Sequence, residues 1–499
     1  MSTQWITRFP VEILILAIGA INDRNDLLSF ALTCRFISQL IIPDKLKYFR
    51  ISSPMKNIDL WNHLLQDLHL CRGTHEFEFT DGARVRPLRR RSGNLNDPIY
   101  TTIVSDSLPK IIHNMVNLSQ VKFSWKYTRF ETLRNFLDAL GDSGCRLEEF
   151  DFYLDIPRPN SNPNPFDNSA LLVELMKLDD LQIWAKLDRT ALQKLSIWVG
   201  TSWNNTSSPL CQANWVGDML LDTPKLTHLS LTIQHSTLSV DLLDYTWPNL
   251  ENLIINNNDN FPNTVRSKLP DFLKRHSNLI TLSLPSNVYP SNMSPSITVE
   301  CLPKLESFAY DGLLGIHLSQ VLSPASARRL RHLTIRGNAI ALEPRNNMEI
   351  YKALIFLQTL CFTMNACVSN YNNTEQILEV LAIHATDIQK IHLPMVGGSS
   401  RAYHAALSVL PRFPDLTHLS GISTYDINSH DPLLKALYRC RQLRYAIHAD
   451  HDNTPRVFRL IRQSEQEDGD GRMSVEVVSG NNPNFDMRTW GNFYNKVYV

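Results

Sequence analysis

The chain has 499 residues, of which 43% are hydrophobic and 20% are charged, and its 49 Lys and Arg residues balance 49 Asp and Glu residues. This apolar content excludes a chain that is disordered throughout, because so much apolar surface collapses into a core. The 18 Gly and 27 Pro residues show no short period, which excludes a collagen-like fibre. A formal net charge of zero gives no global electrostatic reason to bind nucleic acid or an anionic membrane.

Three short helices are predicted in the first fifty residues. Pro10 suits the first position of a helix, Asn25 or Asp26 can cap the second helix, and Pro43 ends the third. The apolar run Ile13–Ile21 holds nine residues, far fewer than the roughly 20 that span a bilayer. The helices carry apolar side chains on more than one face, which so small a module cannot bury by itself. We therefore expect part of this surface to contact something outside the module.

The residue order of this region resembles an F-box, in the variant common in fungal proteins. The resemblance lies in Phe9–Leu14, Asp26–Phe36, Pro43 and Leu46–Ile51 and covers residues 7–51. Phe9 stands where the family usually has leucine, and residues 47–50 are a loosened form of its Leu-Tyr-Arg segment. The resemblance implies docking onto the small Skp-family adaptor of SCF (cullin–RING) ubiquitin ligases, and through that adaptor onto a cullin. The adaptor-binding residues that it implies are Phe9, Pro10, Ile13, Leu14, Leu27, Leu28, Leu32, Cys34 and Arg35.

Residues 52–115 are predicted to be a linker that leads into the next domain and contains a basic loop. This loop carries five arginines among Pro, Gly and Asn residues. Such a cluster can bind phosphate or act as a nuclear address, or it can be a solvated loop with neither role, which we favour. The arginines are Arg84, Arg86, Arg89, Arg90 and Arg91.

A Leu-x-x-Leu-x-Leu pattern recurs from residue 116 to residue 460. From Leu118 to Leu443 the pattern takes eleven steps over 325 residues, or about 29.5 residues a step. Four copies place Asn at the ninth position, namely Asn258, Asn287, Asn338 and Asn365, where an amide side chain can satisfy backbone groups left open by a turn. The copies are Leu118–Phe123, Leu147–Phe152, Leu192–Ile197, Leu226–Leu231, Leu250–Ile255, Leu279–Leu284, Leu305–Tyr310, Leu330–Ile335, Leu357–Phe362 and Ile388–Leu393, with degraded copies at Leu416–Leu419 and Leu443–Ala446.

This pattern resembles the leucine-rich repeats of α/β solenoid proteins. Apolar positions at helical spacing lie between the copies, for example Leu133, Phe136, Leu137 and Leu140. One strand and one helix per repeat predict a leucine-rich-repeat solenoid, with a parallel sheet on its concave side and helices outside. The fold class is therefore α/β, preceded by a small all-α three-helix module.

The concave face is the expected site for a target protein, because solenoids bind partners on such extended surfaces. Side chains that flank the second and third apolar positions of each copy point out of this face. The face is polar, with scattered histidines from separate strands, so we expect no metal site there and no cofactor. The candidate target-binding residues are Lys194, Trp198, His228, Asn252, His332, Arg336, Lys390, His392 and His418.

The remaining features predict a non-catalytic protein of a reducing compartment. Residues 461–499 are expected to form a C-terminal cap and tail, with a strand at Met473–Val478 and aromatic side chains from Trp490 onward that cover the last repeat. The eight cysteines are scattered without a CxxC pair, which favours free thiols. The sequence contains no P-loop, GxSxG, HExxH or dinucleotide-binding motif.

The sequence as a whole predicts a substrate-recognition subunit of an SCF-type ubiquitin ligase. In this hypothesis the first 51 residues dock the adaptor and the repeats hold the target protein, while the chain itself catalyses no reaction. We expect it in the cytoplasm or nucleus, bound neither to membrane nor to nucleic acid. The alternative is a repeat scaffold whose F-box-like segment is degenerate and packs internally.

Overall fold

The computed structural model describes nineteen segments of the chain. They are residues 9–21, 24–42, 48–54, 57–80, 107–126, 130–155, 187–200, 211–233, 236–238, 240–256, 263–285, 297–311, 317–336, 343–363, 372–393, 407–421, 437–449, 455–462 and 473–478. The predicted basic loop, the aromatic residues from Trp490 onward and the four repeated Asn residues lie outside these segments. The chain divides into two units, Met1–Leu242 and Leu243–Val499.

The first unit opens with three helices, as the sequence predicts. Helix α1 is Val11–Gly19, α2 is Arg24–Ala31 and α3 is Arg35–Ile41. Pro10 is the N-cap of α1, one position earlier than predicted, and its carbonyl accepts hydrogen bonds from the N–H groups of Ile13 and Leu14. These helices enclose a small core of Leu14, Ile18, Leu27, Ala31, Ile37, Ile41 and Phe49.

The rest of the first unit is a parallel sheet with helices between its strands. Its strand order is β1-β2-β3-β4-β5-β7, and all the neighbouring strands are parallel. The strands are β1 Arg50–Pro54, β2 Glu76–Thr80, β3 Gln120–Lys126, β4 Glu149–Asp155, β5 Lys194–Gly200 and β7 His228–Ile233, with a separate pair β6 Cys211–Ala213 and β8 Ser236–Leu238. The helices are α4 Ile58–Gln66, α5 Leu108–His113, α6 Phe130–Asp142 and α7 Asn214–Leu220, and the 3₁₀ helices are Leu70–Gly73 and Val240–Asp244.

The second unit contains a sheet of ten strands in chain order among the described residues. Strands β9 to β16 are parallel, and β17 and β18 are added antiparallel at the end. The strands are β9 Asn252–Asn256, β10 Thr281–Leu284, β11 Ser307–Asp311, β12 His332–Arg336, β13 Thr359–Thr363, β14 Lys390–His392, β15 His418–Ser420, β16 Tyr445–Ala449, β17 Pro455–Arg462 and β18 Met473–Val478. The helices are α8 Asn263–Arg275, α9 Leu318–Val321, α10 Pro324–Ala327, α11 Pro344–Ala353 and α12 Asn372–His384, with a 3₁₀ helix at Leu410–Arg412.

The register of the strands confirms the predicted repeat pattern. Each of the twelve copies contains a strand, and the second apolar position of one copy lies opposite that of the next, as Leu282 lies opposite Leu253 and Phe308. These side chains form a buried column that runs from strand to strand. The fold is therefore mixed α/β with parallel sheets, consistent with leucine-rich-repeat-like stacking in each unit.

The sheet extends into the segment that the sequence predicts as a linker, which corrects the boundary at residue 51. Strand β1 crosses that boundary, and β2 lies between β1 and β3. The pattern is hidden there because Thr74, which is buried, takes the place of the first leucine. The alternation of Phe77 and Phe79 with glutamates was the remaining signal for a strand.

Aromatic packing explains why the first strands hold together without a run of leucines. Phe123 stacks on Phe136 of helix α6 with ring centroids 4.2 Å apart, and on Phe79 at 5.4 Å. Trp61 of helix α4 lies against both Phe77 and Phe79. Helix α6 was predicted from its apolar spacing, and its buried side chains complete this cluster. No helix in the described part of the chain is long and apolar enough to cross a membrane.

Gly421 gives a direct test of how closely neighbouring repeats approach. Its φ is +80°, and a Cβ atom there would lie 1.8 Å from the carbonyl oxygen of Leu393 in the preceding repeat. We expect Gly421→Ala to lower the free energy of unfolding by at least about 2 kcal/mol, because the backbone must shift to remove the clash. Chemical denaturation of the purified protein measures this change.

Gly144→Ala is the matched control. Gly144 also has a positive φ, of +65°, but a Cβ atom there meets nothing within 4 Å. Gly144→Ala should lower the free energy of unfolding by about 1 kcal/mol, because only the backbone conformation is unfavourable for alanine. Equal losses from both substitutions would contradict the close approach at Gly421.

Candidate protein-binding surfaces

Exposed apolar side chains concentrate on the three N-terminal helices. Of the thirteen large hydrophobic side chains that are exposed among the described residues, eight lie between residues 9 and 42. Leu32 is 76% exposed and Leu16 is 70% exposed. A cluster of this kind on a small module marks a site of protein interaction more often than an inert surface. The eight residues are Phe9, Val11, Ile13, Ile15, Leu16, Leu28, Leu32 and Ile42, and we call them the apolar surface.

The apolar surface and the core of the module use different faces of the same helices. On α2, Leu27 and Ala31 point into the core, while Leu28 and Leu32 are spaced i, i+4 on the exposed side. On α1 the core residues are Leu14 and Ile18, and the remaining apolar positions are exposed. The module thus has a core of its own in addition to the apolar surface.

The structure divides the nine adaptor-binding residues that the resemblance implies. Six are exposed, and Cys34 is half-buried against the core. Leu14 is 5% exposed and Leu27 is 1% exposed, so neither can touch a partner directly in this structure. This corrects their predicted role: three packed helices need a centre, and these two leucines supply it. The exposed residues are Phe9, Pro10, Ile13, Leu28, Leu32 and Arg35.

Four members of the apolar surface were absent from the predicted contact set. They are Val11, Ile15, Leu16 and Ile42. The sequence contained a signal for Leu16, because Ile13 and Leu16 are spaced as a second apolar face of α1.

The outer strand positions of the first unit form pairs of opposite charge. Arg50 lies 3.0 Å from Glu78 and 3.6 Å from Glu76, and Lys194 lies 2.5 Å from Glu149 on the neighbouring strand. Lys194, predicted to bind a target, is therefore already engaged with a carboxylate. These pairs leave little unbalanced charge on this face.

The neighbouring Arg50 changes the pKa of the Glu78 carboxyl. Desolvation would raise the pKa of its carboxyl, but hydrogen bonds from Arg50 and Ser52, together with the charges of Arg50 and Lys122, lower the pKa below its ordinary value. The carboxylate is therefore ionised at neutral pH.

Two aromatic side chains lie together on the same face. Trp198, predicted to bind a target, stacks on Tyr153 of the neighbouring strand with ring centroids 4.1 Å apart and planes 9° apart. Both rings are half-buried. His228, on the next strand, makes a 2.7 Å hydrogen bond from Nδ1 to the hydroxyl of Thr227. Of this aromatic pair only Trp198 belongs to the predicted target-binding set, and its partly exposed ring suits an apolar partner.

The predicted target-binding residues of the second unit differ in accessibility. His332 is exposed, while Asn252, Lys390 and His418 are half-buried. His418 stacks on Tyr445 at 5.1 Å, and burial with the charges of Lys390 and Arg444 lowers its pKa to about 4. The side chain of Arg336 lies outside the described residues.

His392 corrects the prediction of an open histidine on this face. Its side chain is 2% exposed, and its Nδ1 lies 2.7 Å from the hydroxyl of Ser420, which is also buried. Burial lowers the pKa of His392 to about 4, so the ring is neutral at pH 7. The residue cross-links two strands and does not contact a partner.

The sequence also predicts free thiols. The six cysteines whose side chains the structure describes are free, as expected, and burial raises the pKa of Cys71 to about 11. The Cys71 thiol is therefore protonated at neutral pH. In the described part of the chain, no three His, Cys, Asp or Glu side chains converge on a point where a metal could bind.

No protein-family model matches the chain, and no curated protein matches it. Among solved structures, the chain is similar to the crystal structure of the leucine-rich repeat-containing protein LegL7 from Legionella pneumophila. The two share 12% sequence identity, the match covers 70% of this chain and 80% of that chain, and the TM-score is 0.25. The repeat assignment is therefore drawn from the strand register and not from this likeness.

The buried histidines predict how stability changes with pH. Because the pKa of folded His392 lies below its ordinary value, the unfolded state binds a proton first as the pH falls. Stability is therefore complete above pH 6.5 and is lost between pH 6.5 and about 4. At pH 5 we expect His392 to account for a loss of about 2 kcal/mol. Denaturant unfolding at pH 7 and pH 5 measures this loss.

His392→Gln keeps a hydrogen-bonding side chain beside Ser420 but cannot be protonated, so it should remove the part of the pH dependence that His392 contributes. The part that comes from His418, whose pKa is also about 4, should remain. His332→Gln, at an exposed position on the same sheet, is the control. It should keep most of the pH dependence of the free energy of unfolding. If both variants kept the full pH dependence, His392 would not be its source.

Proposed function

We propose that the chain is a non-catalytic adaptor that brings two proteins together. Its N-terminal module docks one partner through the apolar surface, and its repeats bind the other. The chain supplies proximity, which by itself accelerates a reaction between two bound molecules. The observation that carries this proposal is the apolar surface, which remains exposed although the module beneath it has a complete core.

The apolar surface can supply much of the free energy that association requires. Its eight side chains are each 40–76% exposed, and covering the remaining area contributes roughly 1 kcal/mol for each side chain. The sum is of the order of 8 kcal/mol, which lies within the range of costs that association must overcome. A stable complex then also needs the polar contacts that Arg35 and the edges of the surface can supply.

The partner that we propose for this surface is a Skp-family adaptor, and through it a cullin. This step comes from the resemblance of residues 7–51 to an F-box. The chain would then be the substrate-recognition subunit of an SCF-type ubiquitin ligase, with the target protein held by the repeats. Exposure of Pro10, Leu28 and Leu32, three of the residues that the resemblance implies, supports this assignment.

A repeat scaffold with no ligase role is the second candidate. The observation that favours it is the module's own core, which packs through Phe49 against His75 of the following segment, with ring centroids 4.6 Å apart. A module built into its own chain in this way does not need an adaptor to fold. The two candidates differ in whether an adaptor binds.

Co-expression with a Skp-family adaptor separates them. We expect the wild-type chain to co-purify with the adaptor. The double variant Leu32→Asp, Leu16→Asp should reduce the recovery of adaptor at least about tenfold, because two charges would be buried in the interface. Both leucines are more than two-thirds exposed, so the substitutions should not unfold the module. Size-exclusion chromatography followed by quantification of both chains measures recovery.

Ile383→Asp is the matched control, since Ile383 is 69% exposed on helix α12 of the second unit. This variant should bind the adaptor as the wild type does. Docking onto the Skp-family adaptor would be contradicted if the wild-type chain failed to co-purify with it, or if the double variant co-purified as well as the wild type. The second candidate, a repeat scaffold with no ligase role, would then remain.

A further inference from the structure

A groove lies along the edge of the second sheet where strands β10 to β14 begin. It encloses about 610 Å³. Two rows of side chains line it, and each row uses one fixed position of the repeat. The first row immediately precedes the first apolar residue of a copy and consists of Lys304, Arg329, Phe356 and Asp387. The second row immediately follows that residue and consists of Ile280, Glu306, Arg331 and Gln358. We call it the strand-start groove.

The backbone spaces these rows evenly. The carbonyl of Ile280 accepts hydrogen bonds from two N–H groups of the next repeat, and the carbonyls of Glu306 and Arg331 do the same in turn. Neighbouring strands of a sheet lie about 4.8 Å apart, so each row, which spans four consecutive strands, runs across roughly 14 Å. An extended peptide of four or five residues covers that distance.

The groove carries more positive than negative charge. Four cations line it, Lys304, Arg328, Arg329 and Arg331, against the two carboxylates of Glu306 and Asp387. Arg331 lies 3.8 Å from Glu306, and Lys304 donates to the side chain of Asn278 at 2.8 Å. Arg328 and Arg329 are exposed, and no carboxylate of the described residues lies within 4.0 Å of either guanidinium.

The two arginines start from a fixed piece of backbone. They follow helix α10, where Ser323 caps the first turn and Ser326 and Ala327 are buried. The hydroxyl of Ser326 donates to the carbonyl of Ile297, which ties this turn to the preceding repeat. Little backbone entropy is therefore lost when the guanidinium groups bind a ligand.

Phe356 supplies an apolar contact beside the arginines. Its ring is 56% exposed, although the turn that carries it is anchored by Leu354 and Leu357, both fully buried. Phe356 occupies the same repeat position as Arg329, one strand further on. A ligand that lies along the groove can therefore contact Arg329 and, about 4.8 Å further along, the ring of Phe356.

We propose that the strand-start groove binds an acidic peptide segment of the target protein, with an apolar side chain one or two residues from its carboxylates. The carboxylates pair with Arg328 and Arg329, and the apolar side chain packs on Phe356. A peptide suits the groove better than a nucleic acid does, because Glu306 and Asp387 can accept hydrogen bonds from peptide N–H groups, which a phosphate backbone lacks. This inference deepens the target-binding part of the proposed function and does not depend on adaptor docking.

Fluorescence anisotropy on the full chain, without adaptor, tests the proposal. The probe is a labelled eight-residue peptide with two adjacent glutamates, one residue away from a leucine. We expect saturable binding that weakens as salt rises and is lost when both glutamates are replaced by glutamine. Arg328→Glu with Arg329→Glu should weaken binding at least about tenfold, because each attraction becomes a repulsion. Phe356→Ala should weaken it about fivefold at any salt concentration.

Arg439→Glu with Arg441→Glu is the matched control. Both arginines are exposed in the second unit outside the groove lining, and the double substitution changes the net charge by the same amount. It should leave binding within about twofold of wild type. An equal loss of peptide binding in both double variants would mean that net charge alone determines the binding, which would overturn the proposal.

Two further outcomes would also overturn it. The first is binding of the glutamine peptide as tightly as the glutamate peptide. The second is binding of a phosphoserine peptide or single-stranded RNA while the glutamate peptide fails to bind. Because no adaptor is present, a negative result here leaves the co-purification test of the module unaffected.

Discussion

Lateral pairing of parallel strands is the interaction on which the rest of this structure depends. A parallel strand has no hairpin partner, so each repeat satisfies its backbone groups only through the repeats on either side. The second apolar position of every copy lies opposite that of its neighbour, as with Leu333 between Phe308 and Leu360. A buried column therefore forms only when successive repeats keep one register, and Gly421 shows how little space that register leaves.

The same register creates the surfaces that a partner can use. Because equivalent positions lie opposite each other, a residue type at one position of the repeat becomes a row across several strands. Tyr153 and Trp198 stack for this reason, and so do His418 and Tyr445. The strand-start groove is a row of the same kind, in which Arg329 and Phe356 occupy one repeat position on consecutive strands. A partner bound as we propose would therefore contact rows of side chains and not single residues.

The N-terminal module follows a different rule, since its helices carry core residues on one face and exposed apolar residues on another. Leu27 and Leu28 are adjacent in sequence, yet one is buried in the core and the other is exposed. A helix places consecutive residues about 100° apart, so on a helix that is covered on one side only, the apolar neighbour of a core residue can stay exposed. This is why the module keeps an apolar surface after its own core is complete.

The sequence alone determined the repeat strands and the three N-terminal helices, because spacing along a chain reports which side chains share a face. It missed β1 and β2, where Thr74 and the phenylalanines replace the leucines of the pattern, and it placed Leu14, Leu27 and His392 on surfaces. Only the tertiary structure decided these positions, since burial depends on which other elements cover a face. The pairing of Lys194 with Glu149 and the row of Arg329 beside Phe356 join residues 27 to 45 positions apart in the chain, and spacing within one repeat carries no information on such contacts.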